Sequence, residues 1–192
     1  GYTPAILGTE RTGPDLSQEG GQRPDDWHIA HFVNPRFTRP VSLMPSWEFL
    51  GVEQVDALIA YMQAQGGTNA RVRTNRQDKY KPEAVAAFES GPDANIDWLH
   101  GHVPEVWRAM PNPYPADDAA LARGQKVYQQ FCINCHGPVG DGQGPAGLPR
   151  AGWNGGKPLV YPPPLNFTTL RNKLWQGKYI GGIFYYQIMN GI

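Results

Sequence analysis

The chain has 192 residues with 17 basic and 17 acidic side chains, a formal net charge of +0. That balance excludes the basic stripe a nucleic-acid surface needs, and no apolar run reaches the roughly 18 residues of a membrane-spanning helix. Glycine (23) and proline (19) make up about a fifth of the chain, against roughly 12% in average usage, so either it is partly disordered or something other than regular secondary structure, such as a large apolar cofactor, organises it.

Residues 1–67 read as one unit. A glycine-rich loop runs from Gly8 to Gly21 and contains Arg11-Thr12-Gly13-Pro14-Asp15-Leu16. Residues 25–33 are predicted to form a short helix: Pro24, Asp25 and Asp26 suit its first turn, where acidic groups complement the helix dipole, and Asn34-Pro35 stops it. An extended stretch then leads to Met44-Pro45-Ser46-Trp47. A strong helix is expected over 52–64, with Val52, Val55, Leu58, Ile59 and Met62 at helical spacing and Gly66-Gly67 closing it.

Residues 68–116 read as an irregular, Pro-rich linker draped over a domain. It holds a polar run with Arg71, Arg73, Arg76, Lys79 and Lys81, a short helix near 82–90, and Pro111-Asn112-Pro113-Tyr114-Pro115. His100 and His102 are expected to be solvated. The basic run reads as a solvated stretch or, more sharply, as a docking strip for an acidic partner.

Residues 117–192 form the second unit. Asp117 or Asp118 can cap a helix to Phe131, whose Leu121, Gly124, Tyr128 and Phe131 share a face. Gly124 there would let another helix approach closely. A Gly/Pro loop follows over 137–164, and a last helix starts near Gly182.

The only cysteines stand in Cys132-Ile133-Asn134-Cys135-His136, too few for a disulfide framework. Two thiols so spaced can add to the two vinyl groups of one haem as thioethers, and the adjacent His136 can place its imidazole on the iron. The rival chemistries are a redox dithiol, which calls for a βαβ context, and half a zinc site, which needs further ligands from histidines or carboxylates. A helix delivering Phe131-Cys132 and a Gly-Pro loop after His136 favour covalent haem.

With Ala122-Arg123-Gly124-Gln125 before the motif and Gly140-Asp141-Gly142-Gln143-Gly144-Pro145 after it, residues 117–192 resemble a class I cytochrome c domain. In that family an axial methionine follows a later helix. Here Gln187-Ile188-Met189-Asn190-Gly191-Ile192 ends the sequence, and Met189 is a poor substitute for that ligand, reading better as helix packing. Residues 1–67 resemble a second such domain. Arg11-Thr12-Gly13-Pro14-Asp15-Leu16, Trp27-His28, His31, Asn34-Pro35-Arg36 and Met44-Pro45 are similar to the mono-haem subunit of cbb-type haem–copper oxidases, in which Met44 would be the axial sulfur and a Cys-x-x-Cys-His lies upstream. The opening Gly1-Tyr2-Thr3-Pro4 is not a signal peptide, and the chain is expected to begin after that first motif.

The resemblance implies a mostly α fold: two cytochrome c-like domains, 1–67 and 117–192, joined by the linker. It implies haem c at Cys132, Cys135 and His136, a second haem taking Met44, and single-electron relay as a subunit feeding a membrane oxidase or quinol-oxidising complex. It also implies the periplasmic side of a bacterial membrane, with an anchor outside these 192 residues. His28 and His31 become residues near a haem edge, Trp153, Tyr161, Phe167, Trp175, Phe184, Tyr185 and Tyr186 become haem packing and core, 162–167 becomes a wall of one haem face, and the Pro138 carbonyl is a candidate acceptor for the His136 N–H. The alternatives are a soluble di-haem redox enzyme with an open iron site and a zinc-binding module.

Overall fold

In the computed structural model, described over residues 13–111, 113–115, 117–162, 165 and 180–190, all the regular elements are helical. Helix α1 spans Asp25–Val33, with Asp25 and Asp26 in its first turn and Asn34 ending it in an extended conformation. The Asn34 side chain then accepts from the Arg36 N–H at 3.1 Å and caps a single 3-10 turn, Pro35–Phe37. Helix α2, Gly51–Gln63, buries Val55, Ile59 and Met62, three members of the predicted stripe. Helices α3 (Gly67–Glu89), α4 (Pro92–His102) and α5 (Glu105–Arg108) follow, then α6 (Asp118–Phe131), α7 (Ile133–His136) and α8 (Ile180–Asn190).

The stretch 68–116 is thus far more helical than its composition suggests. Helix α3 has 23 residues, runs through Pro82, and buries only Ala70 among its side chains. Without an apolar stripe it offers no periodic signal. Polar contacts fix it instead. Arg73 donates to the carbonyls of Gly20 (2.8 Å) and Gln18 (3.0 Å), and Gln77 donates to that of Gly21 (2.8 Å). Lys81 pairs with Asp26 of α1. Two members of the basic run therefore hold the Gly-rich loop and α1. His102 is also engaged, stacked on Trp98 (centroids 4.2 Å) with its Nδ1 at 2.7 Å from the Trp98 carbonyl, and His100 contacts Arg108.

The main core draws on both units. Ala30, Phe32, Val33, Val55, Ile59 and Met62 pack with Ala146, Trp153 and Leu159, and Met44 and Cys135 both flank this cluster. Polar bridges follow the same path: Asn134 donates to the Arg36 carbonyl at 2.7 Å and Arg150 forms a salt bridge with Glu48 at 2.5 Å. A smaller cluster sets Ile96 and Val103 against Ile183 of α8, with Trp107 stacked on Tyr185 at 5.5 Å. Trp153 and Phe184 thus take packing roles as expected, whereas Tyr185 is half exposed and Phe167 and Trp175 lie outside the described residues.

Helix α6 departs from expectation in one respect. Its apolar face is open, with Leu121, Val127 and Phe131 exposed, and nothing lies within 4 Å of a Cβ built on Gly124. Among the described residues no other helix uses that face for a close approach. No described helix is long and apolar enough to cross a membrane.

Truncating a wholly buried side chain should separate core from surface. Leu159→Ala is expected to cost about 2–5 kcal/mol by transfer and cavity terms, whereas Leu121→Ala, at a side chain 61% exposed, should stay within roughly 0.5 kcal/mol. Urea midpoints at unchanged slope measure both.

Candidate haem site

Asp117 starts the site. Its carboxylate accepts from the Ala120 N–H at 2.7 Å and caps α6, which carries the chain to Cys132. There the Cys135 and His136 N–H groups both donate to the Cys132 carbonyl, at 3.2 and 2.9 Å. The motif is therefore wound into about one helical turn, with both sulfurs and the imidazole presented by one short segment. Gly137, at φ +78, ends it, a backbone region costly for any residue with a Cβ.

The loop after Gly137 closes directly on that turn. The Gly142, Gly144 and Ala146 N–H groups donate to the carbonyls of His136 (2.9 Å), Cys135 (3.2 Å) and Asn134 (2.9 Å), the acceptors that a helix end leaves unpaired. The Tyr128 hydroxyl donates to the Gly137 carbonyl at 2.6 Å. Such contact requires glycine. A Cβ on Gly144 would stand 2.3 Å from the Asn134 carbonyl oxygen, and one on Gly147 would stand 2.9 Å from that of Cys135.

Both thiols are free and partly buried. Burial, with Asp26 and Cys132 adding to it, pushes Cys135 up to about 11, and burial raises Cys132 as well. A redox dithiol works through a depressed thiol pKa, so these cysteines lack the electrostatics of one. Among the described residues no group of three His, Cys, Asp or Glu side chains could hold a metal ion. Covalent haem fits better: two thiols and a histidine lie on one turn, partly exposed, with Cys135 packed against the apolar core. Cys132 and Cys135 would hold the macrocycle and His136 its iron, and the group would supply a one-electron couple.

Met44 lies in a loop pinned to the end of α1. Ser46 donates its hydroxyl to the Val33 carbonyl at 2.6 Å, the Trp47 N–H donates to Phe32 at 2.8 Å, and Arg36 donates to the Met44 carbonyl at 3.4 Å. This loop brings Met44 against the core that Cys135 also flanks. Around it Val41 (90%), Leu43 (97%) and Phe49 are exposed. On α1, His31 is stacked on Trp27 (4.7 Å) and paired with Thr38 (2.5 Å), and burial lowers its pKa to about 4. Buried His28 is likewise shifted down, chiefly by desolvation. The polar contacts of Asp26, Tyr128 and Asn134 could not be read from the sequence, because a carboxylate, a hydroxyl and an amide that hold backbone or neighbours follow no motif spacing.

Residues 2–96 match the family described as cytochrome c oxidase, mono-haem subunit/FixO, and residues 119–181 match cytochrome c oxidase, cbb3-type, subunit III. Two segments of the chain are thus similar to cbb3-type oxidase cytochrome subunits. No curated protein and no solved structure matched. These matches indicate an electron-transfer cytochrome of the cbb3 oxidase-subunit type and imply haem c binding; cbb3 oxidase subunits are membrane-associated in bacteria.

Two consequences can be measured. Gly144→Ala should lower the unfolding free energy by more than about 1 kcal/mol, because a carbonyl must move, whereas Gly124→Ala, in open helix, should raise it by roughly 0.5–1 kcal/mol. The second concerns pH. His31 folds neutral, with a pKa lowered from 6.5 to about 4, so between those values the unfolded chain binds more protons. Stability should be complete above pH 6.5 and decline as pH falls towards 4; denaturation midpoints across that range should show a shallower decline for His31→Gln, His28 contributing the remainder.

Proposed function

We propose that this chain relays single electrons within a cbb3-type oxidase through two haem c groups. One is bound by Cys132, Cys135 and His136. The other receives the Met44 sulfur as an axial ligand and takes its thioether cysteines from outside these 192 residues. The observation that carries the reading is the one-turn Cys132–His136 segment, with the glycine loop closed over its carbonyls. The two family segments, one of them described as a mono-haem subunit, support the second haem. Met44 and Cys135 flank a common core, an arrangement suited to a short step between the groups. Histidine and methionine ligation raises a haem potential and leaves no open position, which fits relay better than catalysis by the chain itself and sets it apart from a di-haem enzyme with an open iron.

The proposed setting is the periplasmic side of the membrane, with an anchor outside these residues. The exposed Val41, Leu43 and Phe49 beside Arg36 and Arg39 suit a face against another subunit of the oxidase. The shared core also favours a second reading, in which Met44 completes the coordination of the haem held by Cys132, Cys135 and His136.

Haem per polypeptide in the native full-length protein, by pyridine haemochrome, separates the two. Two haems are expected, with Met44→Ala lowering the potential of one and leaving the other unchanged. One haem, its spectrum altered by Met44→Ala, would establish the second reading. No haem would refute both.

A further inference from the structure

Helix α1 holds one polar atom that the fold leaves unanswered. His28 is 2% exposed, and its Nε2 is fully buried without a hydrogen-bond partner. Its neighbours are rings: Trp27 lies edge-on at 5.4 Å and Phe32 is stacked at 6.1 Å. Neither supplies an acceptor. A buried unpaired donor costs about 1–3 kcal/mol, so it calls for a partner. His31, three residues on, shows the contrast, since Thr38 answers its ring.

Position narrows the candidates. Phe32 belongs to the core that Met44 and Cys135 flank, and the Asp26 carboxylate of the same helix acts electrostatically on the Cys135 thiol. His28 therefore stands beside the ground on which the ligand-bearing segments converge. The polar groups of a haem c that accept hydrogen bonds strongly are its two propionate carboxylates.

We infer that His28 is a positioning residue that donates its Nε2–H to a propionate of the haem seated against this core. Burial keeps the imidazole neutral, so it donates without adding a second charge. The consequence is electrostatic. A propionate charge near the iron favours the ferric state, and a donor that withdraws part of that charge favours the ferrous one. His28 then raises the potential without touching the iron.

The inference rests on the haem reading above, and the test keeps the two apart. In the native full-length protein, covalent haem is verified first; its absence would overturn the reading and the inference with it. With haem present, His28→Phe keeps ring volume and stacking but removes the donor. The reduced-to-oxidised ratio of one haem at fixed ambient potential should fall about two- to fivefold, a part of one ordinary hydrogen bond, because the bond is made in both redox states and only its change in strength is read. His28→Gln, whose amide nitrogen can replace Nε2, should restore most of it. An unchanged ratio in a fully loaded His28→Phe protein would overturn the inference and leave Nε2 to a buried water. Should that variant fail to load, nitrogen NMR of the wild-type imidazole decides: a proton on Nε2 supports the assignment, and a bare Nε2 refutes it.

Discussion

The contact on which the site depends is the closure of the 137–147 loop over the turn Cys132–His136. A turn that presents two thiols and an imidazole in one direction leaves the carbonyls of Asn134, Cys135 and His136 without helical partners. Three loop N–H groups answer them, at 2.9 to 3.2 Å. That approach is possible only because Gly144 and Gly147 put hydrogen where a Cβ would meet backbone. The high glycine content is thus partly a packing requirement, and the rigidity it gives the turn is what a covalently held cofactor needs for a fixed axial ligand.

From this contact the rest of the core follows. Ala146, at the end of the loop, enters the cluster with Trp153 and Leu159, and the same cluster receives α1 and α2. Met44 reaches it because Ser46 and Trp47 tie its loop to the last carbonyls of α1. Two segments from different subunit families, 2–96 and 119–181, are joined here by apolar burial, with Asn134–Arg36 and Arg150–Glu48 as polar seams at its edge. Half-exposed ion pairs such as the latter contribute little by themselves; their value is in register.

Sequence alone exposed the features that rest on local chemistry. Helices α1 and α2 could be read because stop signals and an apolar stripe are written in neighbouring residues, and the proposed site at Cys132, Cys135 and His136 stands out because its spacing is the one a covalent haem would need. Helix α3 could not. It carries almost no buried face and is held by Arg73, Gln77 and Lys81 reaching residues more than fifty positions away. The apolar face of α6 was legible as a pattern but not as an outcome, since Leu121 and Phe131 are exposed. The role of His28 was hidden for a related reason: a histidine on a helix gives no sign in sequence that its ring nitrogen will be buried without an acceptor.

The most direct test is whether the cofactor is bonded to the two thiols. Acidified-acetone extraction of the native protein, followed by mass spectrometry of the proteolytic peptide containing Cys132 and Cys135, reads this out. The account predicts that the colour stays with the protein and that this peptide carries one haem through two thioethers. Extractable haem, or a peptide with both thiols unmodified, would contradict it.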